Sequence, residues 1–382
     1  MAQSLSDKFR HEIERISRYH TTGGLPKETT AALLEWATAL DPSVSSYEYV
    51  DEGGEACDFA VGTAQSYLRE MRKFAERACP RLLGVGPNQF NAEIEAMRRG
   101  DNDQVKQDGL SKTTLAITQS AARSFFWYFD IADPEEIEVY GPNREPKHDE
   151  ADLLTPDEIR ALRSEIQNER NRAILEMLLH TGQRISVIQG LRIRDVDTDS
   201  GYFHLNTERG DLKRAAQRGT RRPLLGARPY VENWITEHPF SETEESYLFI
   251  GDPDHHKTKV DQPLCQGTIR RMLKRAAEEA GVGKPVNPHN FRHYWTTVMK
   301  QEYGLNDEEI KLLLGHAREG NGLNTTYNHS VEQKLRENTD WKFGNETEAP
   351  PRSLTPPSCD SCGEALEDYW TCCPVCGTPY GP

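Results

Sequence analysis

The chain has 382 residues, a mean hydropathy of -0.75 and a formal net charge of -15. This length predicts two or three domains, each with a core of its own. We find no run of about 18 apolar residues. Residues 1–20 also lack the apolar centre of a signal peptide. We therefore expect no membrane partner and a cytoplasmic location.

The negative charge is unevenly distributed along the chain. Residues 184–330 carry 21 Lys and Arg against 20 Asp and Glu, whereas the remainder carries 25 against 41. A strongly acidic protein is a poor partner for nucleic acid, but the near-neutral segment keeps that partner open. An acidic surface elsewhere is typical of halophile-like proteins adapted to high salt, which we keep as a hypothesis.

The first third of the chain predicts helices only. Residues 1–25 are expected to form a helical arm and residues 26–132 an all-helical domain, because apolar residues recur at three- and four-residue steps. Ser111 is the predicted N-cap of the last helix. The predicted helices of this domain are Lys27–Leu40, Asp58–Ala78, Gln89–Arg98 and Ser111–Phe129.

An interdomain linker is predicted over residues 133–150, which are poor in apolar side chains and rich in charge. The next domain, residues 151–342, opens with a clear helix start. We expect Thr155 to cap that helix, with Pro156 in its first turn and Glu158 as the capping-box partner.

This second domain is predicted to be α+β, so that the whole chain is mainly α with a small β-sheet. Strands Tyr202–Asn206 and Arg222–Leu225 flank a basic turn: Arg209 to Arg228 includes seven Lys and Arg and one acidic residue. The turn is either a solvated loop or a hairpin that enters a DNA groove. The arginines expected to contact DNA are Arg209, Arg214, Arg218, Arg221 and Arg222. The predicted helices are Asn171–His180, Thr268–Ala280, Pro288–Lys300 and Asp307–Leu314.

The C-terminal tail, residues 358–382, holds five of the eight cysteines. Residues 343–357, rich in Pro, Thr and Ser, predict a flexible linker before it. Two CxxC pairs are typical of a zinc ribbon, in which four thiolates surround a structural Zn2+. A disulfide pair is the alternative, which an intracellular location disfavours. The expected zinc ligands are Cys359, Cys362, Cys373 and Cys376.

The residues best suited to chemistry lie between Pro288 and Tyr327. His289 and Arg292 are three residues apart, which places both on one side of a helix. We expect His293 to support the site from behind, because it follows Arg292 and faces another way along that helix. An arginine and neutral imidazoles suit a phosphate ligand. Tyr327, close behind them, is a candidate nucleophile.

Together these segments resemble the tyrosine recombinases, the family of phage integrases and Xer-type recombinases. Thr181-Gly182-Gln183-Arg184 is similar to the family's Thr-Gly-x-Arg box, and His289–His293 to its His-x-x-Arg-His box. Leu314-Gly315-His316 is similar to its Leu-Gly-His box, and Tyr327 to its closing tyrosine. The resemblance covers residues 155 to about 340, and the helical domain before them is similar in kind to the family's SAM-like core-binding domain.

The resemblance implies a site-specific recombinase that forms a 3′-phosphotyrosyl bond without ATP or a catalytic metal. It also implies a tetramer on double-stranded DNA. Lys213 best matches the family's hairpin lysine, with Arg209 or Arg214 as alternatives. The extra segment Gly320–Gly322 predicts that Tyr327 is withdrawn until the protein assembles on DNA. The implied catalytic residues are Arg184, Lys213, His289, Arg292, His316 and Tyr327.

Three other functions fit parts of the sequence. A type IB topoisomerase uses similar chemistry on one duplex, but the size of the chain and its compact boxes favour the recombinase. A non-catalytic adaptor on a recombinase fold would not require the intact set from Arg184 to Tyr327. A zinc-dependent hydrolase needs an open coordination position, and the tail's four cysteines leave none. The partner of the zinc ribbon stays open between DNA and a neighbouring protomer.

Overall fold

The computed structural model divides the chain into two compact units, Gln3–Glu145 and residues 1–2 with Pro146–Pro382. The fold is mostly helical, with one two-stranded and one three-stranded sheet in the described part of the chain. In that part, no helix is both long and apolar enough to span a bilayer. The structure describes residues 5–41, 49–50, 56–57, 61–141, 152–209, 219–252, 262–315, 354–359, 361–367 and 370–380.

Helices dominate the first unit. Ser111 caps the last of them as predicted, since its side chain accepts a hydrogen bond from the Thr114 amide at 3.2 Å. A short antiparallel pair of strands departs from the all-helical prediction. The elements are α1 (Leu5–Thr22), α2 (Lys27–Leu40), β1 (Tyr49–Val50), β2 (Ala56–Cys57), α3 (Val61–Arg77), α4 (Pro87–Arg99) and α5 (Lys112–Tyr128).

Two segments expected to stand apart from the helical domain pack into it instead. Phe9 and Ile16 of α1 are buried in the core of the unit, so α1 packs on α2 and α3 rather than forming an arm. Ile137 is fully buried in the same core. The first residues of the predicted linker 133–150 are therefore part of this unit.

The second unit combines seven helices with a small antiparallel sheet in its described residues. The sheet order is β3-β4-β5, and β3 was not predicted because two residues are too short to show alternation. Thr155 and Glu158 form the predicted capping box. The elements are α6 (Pro156–Glu165), α7 (Glu169–Thr181), α8 (Ile185–Gly190), β3 (Val196–Asp197), β4 (Tyr202–His204), β5 (Arg221–Pro223), α9 (Arg228–Glu237), α10 (Gln266–Glu279), α11 (Pro288–Gln301) and α12 (Asp307–Leu314).

Helix α7 is the centre of the second unit. Residues 173–181 are all buried, and α9, α10 and α11 pack around them, because α7 carries apolar side chains on every face. The helix ends at Gly182, whose φ of +59° suits a glycine C-cap. This end places Arg184 at the start of α8.

The core of the second unit also includes a residue from the predicted flexible linker. Leu354 is fully buried in that core. Thr355 is buried as well, and its hydroxyl donates to the Trp370 carbonyl at 2.6 Å. The end of the linker therefore ties the cysteine tail to the second unit.

Candidate active site

One buried arginine connects three of the boxes found in the sequence. Arg292, on α11, is 7% exposed. Its Nη1 donates to the Gly182 carbonyl at 2.9 Å and its Nη2 to the Leu314 carbonyl at 3.3 Å. The guanidinium therefore joins the C-terminal ends of α7 and α12 to α11, and the two hydrogen bonds fix its orientation.

The turn after α7 is held on α11 by close packing. A Cβ at Gly182 would lie 2.7 Å from two ring atoms of Trp295, so only glycine fits there. Trp295 Nε1 donates to the His180 carbonyl at 2.7 Å. Gln183 Nε2 donates to the Leu313 carbonyl at 2.8 Å. These contacts fix the backbone immediately before Arg184.

Arg184 is the N-cap residue of α8 and its side chain is exposed. Desolvation by the surrounding protein lowers the pKa of Arg184 from its ordinary value. In the described part of the chain no carboxylate offsets that cost, and Val187, one turn later, is buried and apolar. A desolvated guanidinium without a carboxylate is suited to an external anion such as phosphate.

His289 and His293 form a contacting pair on α11. Their Nε2 atoms are 3.0 Å apart, and their rings are nearly perpendicular with centroids 4.4 Å apart. His293 was expected to face another way, and this was wrong because residues four apart on a helix share a face. His289 is exposed and His293 half-buried.

A buried ionic cluster lies on α7, one turn before the Thr181-Gly182 turn. Glu176 accepts two hydrogen bonds from Arg163, at 2.9 and 2.7 Å, and one from Arg172 at 2.9 Å. His180 Nε2 lies 3.3 Å from the same carboxylate. Burial alone would raise the pKa of Glu176, but the charge of Arg163 and these contacts place it well below its ordinary value. The sequence signal that was missed is a glutamate inside an otherwise apolar helix.

Two adjacent arginines of the basic hairpin have different surroundings. Arg221 is exposed, and its guanidinium lies 3.6 Å from the centroid of the Tyr202 ring. Arg222 is 2% exposed and donates to the carbonyls of Gly219 and Arg221 at 2.9 and 2.8 Å. Burial lowers the pKa of Arg222. The sequence led us to expect Arg222 among the arginines that contact DNA, but its side chain is buried and supports the hairpin from within.

For several of the predicted site residues the structure does not describe a side chain. The backbone of Arg209 lies in a short 3₁₀ turn, Thr207–Arg209. The prediction that Tyr327 is withdrawn without DNA concerns undescribed residues, as does the Gly320–Gly322 segment. The predicted site residues outside the described part of the chain are Lys213, Arg214, Arg218, His316 and Tyr327.

Helix α10 presents a basic face that the sequence reasoning did not assign to the site. Arg270, Arg271 and Lys274 are exposed on it. At the start of the helix, Gln266 Nε2 donates to Gln189 Oε1 of α8 at 3.1 Å, which places that end of α10 close to the helix that Arg184 caps. The available signal was the clustering of basic residues on the side opposite the buried Ile and Leu positions.

The four tail cysteines predicted as zinc ligands converge. Their sulfurs all lie within 4.8 Å of one another. The Cys359–Cys376 and Cys362–Cys373 sulfur pairs are 3.5 and 3.6 Å apart. These distances are far longer than a disulfide bond of about 2.05 Å, and the cysteines are free thiols. Cys372 is exposed and is not one of the four.

Known proteins are similar to much of this chain. Residues 152–334 match the model of the phage integrase family. Tyrosine recombinase XerA of Thermococcus kodakarensis is 30% identical over 216 residues, 56% of this chain and 70% of that protein. Tyrosine recombinase XerD of Mycobacterium tuberculosis is 29% identical over 283 residues, 68% of this chain and 84% of that protein.

Solved structures share the fold at low sequence identity. XerH recombinase bound to a palindromic difH substrate covers 90% of this chain and 98% of its own, at a TM-score of 0.50 and 17% identity. A lambda integrase tetramer bound to a Holliday junction covers 79% of this chain and 78% of its own, at a TM-score of 0.51 and 13% identity.

The chain belongs to the phage integrase family of tyrosine recombinases. It is a site-specific recombinase, an enzyme that breaks and rejoins DNA strands.

Proposed function

We propose that Tyr327 attacks a DNA phosphodiester, expels the 5′-hydroxyl and becomes joined to the 3′-phosphate. The reverse attack by a 5′-hydroxyl of a second strand completes the exchange and frees the tyrosine. The phosphotyrosyl bond conserves the phosphodiester energy, so strand joining requires no nucleotide cofactor. The observation that best supports the proposal is Arg292, whose two carbonyl contacts join the three boxes beside Arg184.

The two arginines act on the charge of the transition state. Negative charge gathers on the non-bridging oxygens of the pentacoordinate phosphorus. We assign their stabilisation to Arg184 and Arg292, because preorganised donors of this kind each contribute roughly 2.7–4 kcal/mol. The fixed orientation of Arg292 favours this role, as does the desolvation of Arg184, which no carboxylate of the described residues offsets.

Proton transfers fall to the remaining site residues. We propose that Lys213 protonates the leaving 5′-oxygen as general acid. His289 and His316 would hydrogen-bond the phosphate and take up the proton of the Tyr327 hydroxyl. The exposed position of His289 at the start of α11 is consistent with contact to a substrate.

DNA binding is proposed for the hairpin and for the basic face of α10. In the hairpin, Arg209, Arg214, Arg218 and Arg221 would contact phosphates. Arg222 is not included among these DNA contacts, because its side chain is buried. The helical domain, residues 26–132, would serve as the core-binding domain. Recombination joins two sites with two protomers each, so we propose a homo-tetramer on double-stranded DNA in the cytoplasm.

A covalent-capture assay tests the function. The substrate is a pool of nicked duplexes with a randomised central sequence, enriched by repeated capture of protein-bound DNA. Wild-type protein should form an adduct that survives denaturing electrophoresis, and Tyr327→Phe should form none. If the wild type forms no adduct from dilute buffer to molar salt, the chain is a non-catalytic adaptor. The same salt series, followed by thermal melting, tests the halophile hypothesis.

We also propose that residues 358–382 form a zinc ribbon. A tetrahedral Zn2+ with Zn–S bonds of about 2.3 Å sets its sulfurs about 3.8 Å apart, close to the spacings of the four cysteines. Gly363 and Gly377 have φ of +76° and +74°, as the turns after the two CxxC pairs require. Native mass spectrometry should find one zinc per chain, absent from Cys359→Ser. An equal zinc content in both would contradict the assignment.

A further inference from the structure

His293 contacts a proposed catalytic group directly. The 3.0 Å between its Nε2 and that of His289 is a hydrogen-bond distance. Because each neutral imidazole carries one N–H, one ring donates and the other accepts. The tautomer of His289 is therefore linked to that of His293.

The surroundings of His293 make it the fixed partner of the pair. It is half-buried, whereas His289 is exposed. Its neighbour Arg292 is anchored on two carbonyls, which holds this turn of α11 in place. A hydrogen bond to a fixed ring restricts the rotamers of an exposed imidazole and reduces the entropy lost when it engages a substrate.

We propose that His293 is a positioning residue for strand cleavage: its ring holds the imidazole of His289 in the orientation and tautomer that engage the scissile phosphate. The inference rests on the proposed function, in which His289 contacts that phosphate. His293 itself does not contact DNA. Its loss should therefore slow cleavage and leave DNA affinity unchanged.

The test measures single-turnover cleavage of the captured nicked substrate, and DNA binding separately. We expect His293→Leu to slow cleavage about 10- to 100-fold, the cost of a displaced catalytic group. His293→Gln, whose amide reaches the position of Nε2, should restore most of the rate. Thr297→Val is the matched control, because it alters the same helix one turn later without touching either ring. It should cleave at the wild-type rate.

A double-mutant cycle separates positioning from a general effect on α11. If His293 acts through His289, His293→Leu should cause no further loss in a His289→Gln background. Equal losses in both backgrounds would overturn the proposal, as would a wild-type rate for His293→Leu. Thermal melting of each variant identifies any that fail to fold, and His293→Gln then provides the comparison. A wild type that forms no adduct refutes the recombinase function itself, which is a different outcome.

Discussion

Each unit of the chain contains an arginine whose pKa is affected by desolvation, but the two arginines differ in exposure and in their charged partners. In the helical unit, Arg72 is 2% exposed and contacts the carboxylates of Glu12 and Glu76. Burial would lower the pKa of Arg72, but these two carboxylates raise it above the ordinary value. In the recombinase unit, desolvation lowers the pKa of Arg184 and no carboxylate in the described part of the chain opposes it.

The difference separates a structural cation from one available for binding. The positive charge of Arg72 is already balanced within the fold, so removing it leaves two acids uncompensated. Among the residues that the structure describes, no carboxylate balances the charge of Arg184, so a phosphate can act as its partner. Arg163 with Glu176 repeats the structural type next to the site. The identity of an arginine alone therefore does not assign its role, whereas its exposure and its charged partners do.

Exchanging these two arginines for alanine should have the largest effects. Arg184→Ala should slow single-turnover cleavage about 10²- to 10³-fold, since it removes a preorganised donor. Its melting temperature should change little, because the side chain is exposed and has no carboxylate beside it in the described part of the chain. Arg72→Ala should lower the free energy of unfolding by about 3–5 kcal/mol, the cost of breaking a buried ion pair. Calorimetry and the cleavage assay on both variants check this. A destabilised Arg184→Ala with normal cleavage would reverse the comparison.

The structural ion pairs should make the stability of the protein fall at acid pH. The pKa of Glu176 is depressed, so its stabilisation is complete above the ordinary value of 4.5 and is lost as the pH falls below it. Burial also lowers the pKa of His180, so stability falls as the pH drops below 6.5, where the unfolded chain takes up a proton. Denaturant unfolding from pH 7 to pH 3 should show both losses.

Glu176→Gln is the matched variant for the acid experiment. It should be less stable than wild type by roughly 3 kcal/mol at pH 7, because Arg163 and Arg172 lose their counter-charge. The variant should also show a smaller decline below pH 4.5, since only the contribution of Glu176 is removed and other acids with lowered pKa values, such as Glu76 and Glu158, remain. Parallel stability curves for the two proteins at all pH values would show that Glu176 does not carry the effect.

The sequence predicted several helix bounds well. The helices α2 and α12 begin and end as predicted, and the Thr155 capping box is present. Sequence patterns did not predict the contacts that the folded chain makes in three dimensions. Nothing local indicates that Arg222 turns inward, that Glu176 meets Arg163, or that Leu354 packs in a core formed by residues far from it in the chain. Among the site residues, Arg184 and Arg292 could be proposed from their boxes, but their different partners could not.

Replacing the glycine in the turn that supports Arg292 should affect stability and cleavage to an intermediate degree. Gly182→Ala introduces a Cβ 2.7 Å from the Trp295 ring at a φ of +59°. Overpacking of this kind costs about 1–3 kcal/mol. The Gly182 carbonyl would also shift from Arg292, so cleavage should slow as well. The control is Gly226→Ala. Its Cβ would lie 2.4 Å from the His180 ring, and it does not involve the Gly182 carbonyl. It should lose stability while folded protein cleaves normally.

The adjacent hairpin arginines offer the smallest and most specific test. Arg221 is exposed over the Tyr202 ring, so Arg221→Gln should leave stability within about 1 kcal/mol. If it contacts one phosphate, the slope of log K against log salt should become about 0.9 less negative. Arg222→Gln should lower the melting temperature instead, because the buried guanidinium holds the Gly219 and Arg221 carbonyls. It should keep the wild-type salt slope. Salt titrations and melting curves of both variants distinguish the two roles, and a reduced slope for Arg222→Gln alone would mean that DNA draws the buried arginine outward.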